Sequence, residues 1–227
     1  MIGILKALYF RFLPQRVRDK FEVLIGMSDY YDIPIKSTGC LFIHVPKAAG
    51  TSVSRAIYGE NIGHFTAQFY RDLSKREFNK YFKFAIVRNP WDRAVSAYHF
   101  VKQGGTDLVQ PNADEDFSND CFESFERFVK EWLTVVDISK KDVVFQPQYW
   151  FICDENENVL VDYIGKLEKM DEVSQVLTEK LNKKFEFEKL NVSKRKKDFR
   201  SYYNAETKAL VSEIYKKDIE LFGYEFE

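Results

Sequence analysis

Residues 46–52 (PKAAGTS) combine the residue types that proteins use to hold a phosphate or a sulfate. The segment follows an apolar run at 40–45 (CLFIHV) and precedes a stretch with helical spacing at 53–58. A small-residue loop between a strand and a helix directs backbone N–H groups to one point, where the helix dipole adds about half a positive charge. The sequence therefore predicts an anion site formed by Lys47, Ala49, Gly50, Thr51 and Ser52.

A second candidate anion site follows the next apolar run, residues 82–87 (FKFAIV). In magnesium-dependent phosphotransferases of this architecture the second strand typically ends in an Asp that holds the metal. Here Arg88 stands in that place, and Ser96 lies two turns into the helix expected over 91–102. Ligands of open α/β sheets bind at the carboxyl ends of the strands, so we expect this site to lie near the first one. Two anion sites without an evident metal ligand indicate a ligand with two separated anionic groups.

The order strand, turn, helix occurs twice, which is typical of an α/β fold. A third strand is expected at 160–164, and further helices at 122–136, 170–181 and 206–222. We therefore predict a three-layer α/β/α architecture with a central parallel sheet.

The length of 227 residues predicts a single domain, 1–227, with an N-terminal helical extension at 1–39, an α/β core at 40–226 and an acidic loop at 104–120. The net charge of −1 argues against a nucleic-acid partner. This balance conceals a basic segment at 189–200, which holds six basic residues and one acidic residue. Aromatic residues make up 16% of the chain, and we expect most of them in the core.

Three cysteines far apart in sequence predict reduced thiols and a cytoplasmic location. No apolar run approaches the roughly 20 residues of a membrane span. The first twenty residues hold five basic residues and one acidic residue. This segment is expected to form a helix packed on the domain, and the alternative is a helix in peripheral contact with an anionic inner membrane surface.

The two anion motifs carry a family resemblance. Residues 42–53 (FIHVPKAAGTSV) resemble the 5′-phosphosulfate loop of sulfotransferases that use 3′-phosphoadenosine-5′-phosphosulfate (PAPS), and residues 84–100 resemble their 3′-phosphate segment. Segments 147–151, 162–172 and 193–226 are similar to the later part of the carbohydrate sulfotransferase group, which includes the chondroitin and heparan-sulfate 2-O enzymes. The chain looks like a compact bacterial-type member of that group.

The resemblance implies a P-loop nucleoside-triphosphate-hydrolase-like sulfotransferase fold, with PAPS as the sulfuryl donor and no metal. The residues implied to hold the 5′-phosphosulfate are Lys47, Gly50, Thr51 and Ser52. Arg88 and Ser96 are implied to hold the 3′-phosphate. A basic loop with Lys194, Arg195 and Lys196 is implied to close over the nucleotide. The excess positive charge of the basic segment supports the closing loop independently.

The transfer needs a base for the acceptor proton, and histidine suits that role near neutral pH. His44 lies inside the first strand and His99 lies beyond the anion site, so both are expected to be structural. His64 follows the helix after the anion loop, where similar 2-O-sulfotransferases have their proposed base. We therefore expect His64 and Lys47 to be the catalytic residues, with Glu60 as the alternative base.

The expected reaction is in-line sulfuryl transfer to a hydroxyl, rather than an amine, of a carbohydrate or glycolipid acceptor. Gln148 and Tyr149 are the expected acceptor-binding residues, since polar and aromatic groups suit sugars. The acidic stretch at 107–120 favours a neutral acceptor over a sulfated polymer. Two alternatives are a P-loop kinase or nucleotide hydrolase, and a non-catalytic module that binds a nucleotide or a glycan.

Overall fold

A computed structural model describes residues 34–106, 110–111, 117–185, 187 and 198–227. These residues fall into two compact units. The sheet unit contains the described parts of 34–88 and 148–187, and the helical unit contains those of 89–147 and 198–227. No helix among the described residues is both long enough and apolar enough to span a membrane.

The sheet unit is built on three parallel strands in the order β1-β2-β3. The strands are β1 (Cys40–Ile43), β2 (Phe82–Val87) and β3 (Tyr163–Lys166). Together with the surrounding helices they confirm the predicted α/β class.

Helices flank the strands along the chain. In chain order they are α1 (Pro34–Thr38), α2 (Gly50–Tyr58), α3 (Ala67–Leu73), α4 (Lys75–Phe78), α5 (Pro90–Lys102), α6 (Phe125–Arg127), α7 (Tyr149–Ile152), α8 (Met170–Leu181), α9 (Ala205–Ile214) and α10 (Lys216–Phe222). Short 3-10 turns cover Asp120–Phe122, Ile138–Lys140, Leu167–Lys169 and Phe199–Tyr202, and a π-helical turn covers Phe128–Leu133.

Two strands differ from their predicted bounds. β1 ends at Ile43, two residues early, because the N–H of Val45 turns back to the carbonyl oxygen of Ile43 at 3.1 Å. β3 begins at Tyr163 rather than at residue 160. The N–H of Leu160 donates to the carbonyl oxygen of Ile152 at 2.8 Å, so this part of the chain pairs with its own preceding segment before it reaches the sheet.

Helices α2 and α8 cover one face of the sheet, and the core of the sheet unit lies between them and the strands. The residues that meet there are Cys40, Phe42, Val53, Ile57, Phe84, Ile86, Val173, Leu177 and Phe185. On the other face Leu41, Ile43, Ala85 and Val87 have no exposed surface. Continuous burial on both faces is the expected pattern for a parallel sheet between covering layers.

The helical unit explains much of the aromatic excess. Its core is dominated by the large rings of Trp91, Tyr98, Phe122, Phe125, Phe128, Trp132, Phe145 and Tyr215. Ring centroids there lie 4.8 Å apart for Trp132 and Phe145 and 5.4 Å apart for Tyr98 and Phe128, within the range of favourable aromatic pairs.

Two predicted helices of the helical unit are divided. The helical pattern over 122–136 becomes a 3-10 turn, then α6 capped by the Ser124 side chain, then a π-helical turn. The pattern over 206–222 breaks at Tyr215, whose backbone leaves helical geometry (φ −107°). At this break the buried hydroxyl of Tyr215 donates to the carbonyl oxygen of Phe145 at 2.8 Å.

The close packing of β3 against α8 generates a prediction about stability. A Cβ at Gly165 would lie 2.5 Å from Cγ2 of Val173, so Gly165→Ala should lower the free energy of unfolding by about 1–3 kcal/mol through overpacking. Denaturant unfolding measures this change. Val173→Ala removes the obstructing methyl groups. The free energy of unfolding of the double variant should therefore fall by less than the sum of the decreases in the two single variants. Additive losses would contradict the proposed contact.

Candidate functional site

The turn after β1 has the backbone geometry of an anion site. Lys47 and Ala49 adopt left-handed conformations with φ of 64° and 60°. A left-handed conformation costs a residue other than glycine about 1–2 kcal/mol. Backbone strain of this kind is concentrated at ligand-binding sites. Alternating conformations turn successive N–H groups toward one concave side, which favours anion binding. Gly50 and Thr51 lie in the first turn of α2, where the helix itself offers their N–H groups no carbonyl partner.

The side chains of this turn differ in access. Lys47 and Thr51 are partly exposed, whereas Ser52 is buried and Ala48 has no exposed surface. The absence of a side chain at Gly50 has a specific cause: a Cβ there would overlap the imidazole ring of His44. The glycine therefore permits close contact between β1 and α2, a reason that sequence reasoning had not identified.

Arg88, which follows β2, contacts the turn that follows β1. Its guanidinium Nη1 donates to the carbonyl oxygen of Lys47 at 3.1 Å, so the partly exposed cation lies beside the anion turn. The backbone of Arg88 is held by Gln148. The amide oxygen of Gln148 accepts from the Arg88 N–H at 2.9 Å, and its amide nitrogen donates to the Arg88 carbonyl at 2.8 Å.

The side chain of Gln148, an expected acceptor contact, lies against the Arg88 backbone. Its side chain has no exposed surface and contacts the Arg88 backbone, so in this conformation it supports the cation. Tyr149, the first residue of α7, is partly exposed and remains a predicted acceptor contact.

His64 lies close to the anion turn through its contact with His44. The Nδ1 atom of His64 is 2.9 Å from the carbonyl oxygen of His44. Because a carbonyl only accepts, Nδ1 carries the proton and the lone pair of the neutral ring resides on Nε2. This is the tautomer that a base acting through Nε2 requires. The alternative base, Glu60, is exposed and follows the left-handed C-cap Gly59 of α2.

His44 is the functional candidate that sequence reasoning had assigned to the core. It is buried, as expected, but its Nδ1 lies 2.9 Å from the carbonyl oxygen of Ile62, and its ring centroid lies 4.1 Å from that of His64. The available signal was its position three residues before the Lys of the anion motif. Burial, then the charge of His64, hold the pKa of His44 well below its ordinary value of 6.5.

Ser96 and His99 belong to the helical unit. Ser96 is buried on α5 in the helical unit. In the same unit the ring of His99 packs edge-to-face with Tyr202, their centroids 5.2 Å apart. The predicted closing loop, Lys194, Arg195 and Lys196, lies outside the described residues. So do residues 1–33 of the predicted N-terminal extension and residues 107–109 and 112–116 of the predicted acidic loop.

The lowered pKa of His44 predicts a pH-dependent stability. Below about pH 6.5 the unfolded chain takes up a proton that the folded chain excludes, so the free energy of unfolding should fall as the pH falls. His44→Phe removes this contribution, so its stability should fall less steeply between pH 7 and pH 5. Denaturant unfolding at several pH values measures both slopes. Equal slopes would show that His44 is protonated in the folded protein.

One of three comparisons with known proteins identifies a family. No curated protein and no solved structure matches the chain significantly. The model of the Sulfotransferase family matches residues 36–225, a range that contains the anion turn, both strand ends and His64. The match extends over well more than half of the chain, and the chain therefore belongs to the Sulfotransferase family.

Proposed function

We propose that the protein transfers a sulfuryl group from PAPS to a hydroxyl of a carbohydrate or glycolipid. The observation that carries this proposal is the junction of Lys47 and Arg88 at adjacent strand ends, in a chain of the Sulfotransferase family. A donor with a phosphosulfate and a separate phosphate needs positive charge at two points. The anion turn offers one, and the Arg88 guanidinium offers the other.

The donor side of the site fits PAPS through fixed rather than mobile groups. When bound, PAPS would supply the sulfuryl group and depart as the bisphosphate nucleotide. Lys47 and the first-turn N–H groups of α2 would stabilise the negative charge that develops on the leaving phosphate. Gln148 bonds to both the N–H and the carbonyl of Arg88, so it fixes the backbone from which the second cation extends. Ser96 and the basic segment 194–196 remain predicted contributors to the nucleotide end.

The acceptor proton would go to Nε2 of His64. As the new O–S bond forms and the bond to the leaving phosphate breaks, this nitrogen takes the proton of the attacking hydroxyl. The Nδ1–H bond to the carbonyl oxygen of His44 fixes the ring orientation and stabilises the imidazolium that results. General-base catalysis of this kind is typically worth about 100- to 10,000-fold in rate.

The acceptor side rests on the resemblance and on two aromatic side chains. Tyr149 and Trp150 are partly exposed on α7, with ring centroids 6.2 Å apart and an edge-to-face angle of 70°. Exposed ring faces with polar edges suit the faces and hydroxyls of a sugar. Gln148 is not part of this proposed surface, because its amide is already engaged by Arg88.

Nucleotide selectivity tests the donor proposal. Isothermal titration calorimetry in EDTA should show micromolar binding of 3′-phosphoadenosine-5′-phosphate and far weaker binding of ATP. Lys47→Ala and Arg88→Ala should each weaken the binding of the bisphosphate nucleotide by about 10- to 100-fold, because each removes a charge-assisted contact. Arg55→Ala, which removes an exposed cation from the last turn of α2, serves as the control and should bind normally.

A reversed selectivity would contradict the proposal. Magnesium-dependent ATP binding without bisphosphate binding would indicate a kinase or nucleotide hydrolase. Bisphosphate binding without transfer to any member of a glycan panel, tested with radiolabelled PAPS, would indicate a non-catalytic nucleotide-binding module.

The base is tested by His64→Ala, with Glu60→Gln as its matched comparison. His64→Ala should lower kcat by at least about 100-fold and leave bisphosphate affinity within about twofold, because the ring takes a proton and does not hold the donor. Glu60→Gln should change kcat little. Radiolabelled transfer and calorimetry supply the two readouts. Retained turnover in His64→Ala, together with a large loss in Glu60→Gln, would assign the role to Glu60.

A further inference from the structure

His44 contacts three separate parts of the sheet unit. It follows β1 directly, is 4% exposed and lies between the strand and the anion turn. Its ring packs on Gly50, its Nδ1–H donates to the carbonyl oxygen of Ile62, and its own carbonyl accepts from His64. A histidine that only filled core volume would not need this combination of contacts.

The contact with Gly50 sets the position of the start of α2. Gly50 does not have a left-handed backbone, so its conformation does not require glycine. The atoms that a Cβ would meet are Cδ2 and Nε2 of the His44 ring. The imidazole therefore determines how closely the first turn of α2, which carries the anion-binding N–H groups, approaches β1.

The contacts with Ile62 and His64 position the segment that carries the proposed base. Residues 61–66 belong to no helix or strand, so the regular hydrogen bonds of such elements do not fix their path. Two hydrogen bonds of 2.9 Å run in opposite directions between His44 and this segment. The His44 side chain donates to the backbone of Ile62, and the His64 side chain donates to the backbone of His44. The two rings also pack at 51° to each other.

We propose that His44 is a positioning residue that holds the anion turn and His64 in a fixed relation to each other. The inference rests on the proposed function, in which the turn binds the donor and His64 takes the acceptor proton. Correct placement of a base relative to the reacting atoms is worth a large factor, since an error of about 1 Å can cost about 100-fold in rate. One buried ring that contacts both elements supplies this placement.

A double-variant comparison tests the contact with Gly50. Gly50→Ala should weaken the binding of 3′-phosphoadenosine-5′-phosphate by at least about tenfold, because the new methyl group displaces the His44 ring and the anion turn with it. His44→Ala removes the obstruction, so Gly50→Ala combined with His44→Ala should recover affinity to within about threefold of His44→Ala alone. Failure of the second substitution to restore binding would overturn the proposed contact.

Two further variants separate the ring from its hydrogen bond. His44→Phe keeps a ring against Gly50 and loses the donor to Ile62, whereas His44→Asn keeps a side-chain N–H near the position of Nδ1. We expect His44→Phe to bind the bisphosphate within about threefold of wild type and to lose about 10- to 100-fold in kcat. His44→Asn should retain more kcat than His44→Phe. Wild-type kcat in His44→Phe would overturn the positioning role.

Nitrogen NMR of the histidine rings gives a readout that needs no acceptor. In the wild type, His64 should show the Nδ1–H tautomer, and in His44→Phe its signal should average between tautomers as the 61–66 segment loosens. An unchanged His64 signal would count against the proposal.

Failure of the proposed function is distinguishable from failure of this inference. A wild-type chain that binds no bisphosphate nucleotide contradicts the proposed function alone. The double-variant comparison can then be made with Tm instead of affinity. If the contact exists, Gly50→Ala should lower Tm less in the presence of His44→Ala than it does alone.

Discussion

The parallel register of β1 and β2 is the constraint on which the site depends. Ile43 pairs with Ala85, and β2 continues for two residues after this pair. Arg88 follows β2 at the edge of the sheet where the chain also leaves β1 for the anion turn. Arg88 therefore emerges beside the turn, where its guanidinium donates to the carbonyl oxygen of Lys47. Two basic residues that are 41 positions apart in sequence come into contact because two apolar runs pair side by side, although the contact is between the Arg88 guanidinium and the backbone of Lys47.

Two buried polar side chains then fix the loops that leave this edge. Gln148 and His44 are 0% and 4% exposed, and a buried polar group is costly unless it forms hydrogen bonds. Each bonds to the backbone of a loop, Gln148 to Arg88 and His44 to Ile62. Arg88 lies just after β2, where pairing in the sheet ends, and the Gln148 amide gives its N–H and carbonyl the partners that a strand would have provided.

The patterns that predicted the fold correctly are local ones. β2 and α8 have their predicted bounds, because an uninterrupted apolar run marks the first, and Asp171 and Glu172 begin the second with charges that suit the helix dipole. The features that local patterns do not predict depend on distant contacts. Nothing near Leu160 shows that its N–H will bond to Ile152, and nothing near Gln148 distinguishes a surface amide from one that holds a backbone 60 residues away. Residue types alone predict the anion turn, whereas the reason for its glycine lies in the ring of His44, which follows the preceding strand.

Burial of His44 also bears on how His64 would function as a base. When His64 takes a proton, a second positive charge nearby would lower its affinity for that proton. Lys47 already contributes one such charge at the turn, and it disfavours protonation of His44 as well. Because burial holds the pKa of His44 well below 6.5, His44 stays neutral near neutral pH and adds no further charge beside the imidazolium. A neutral ring can therefore pack closely against the proposed base and fix its tautomer without opposing the proton transfer that the base performs.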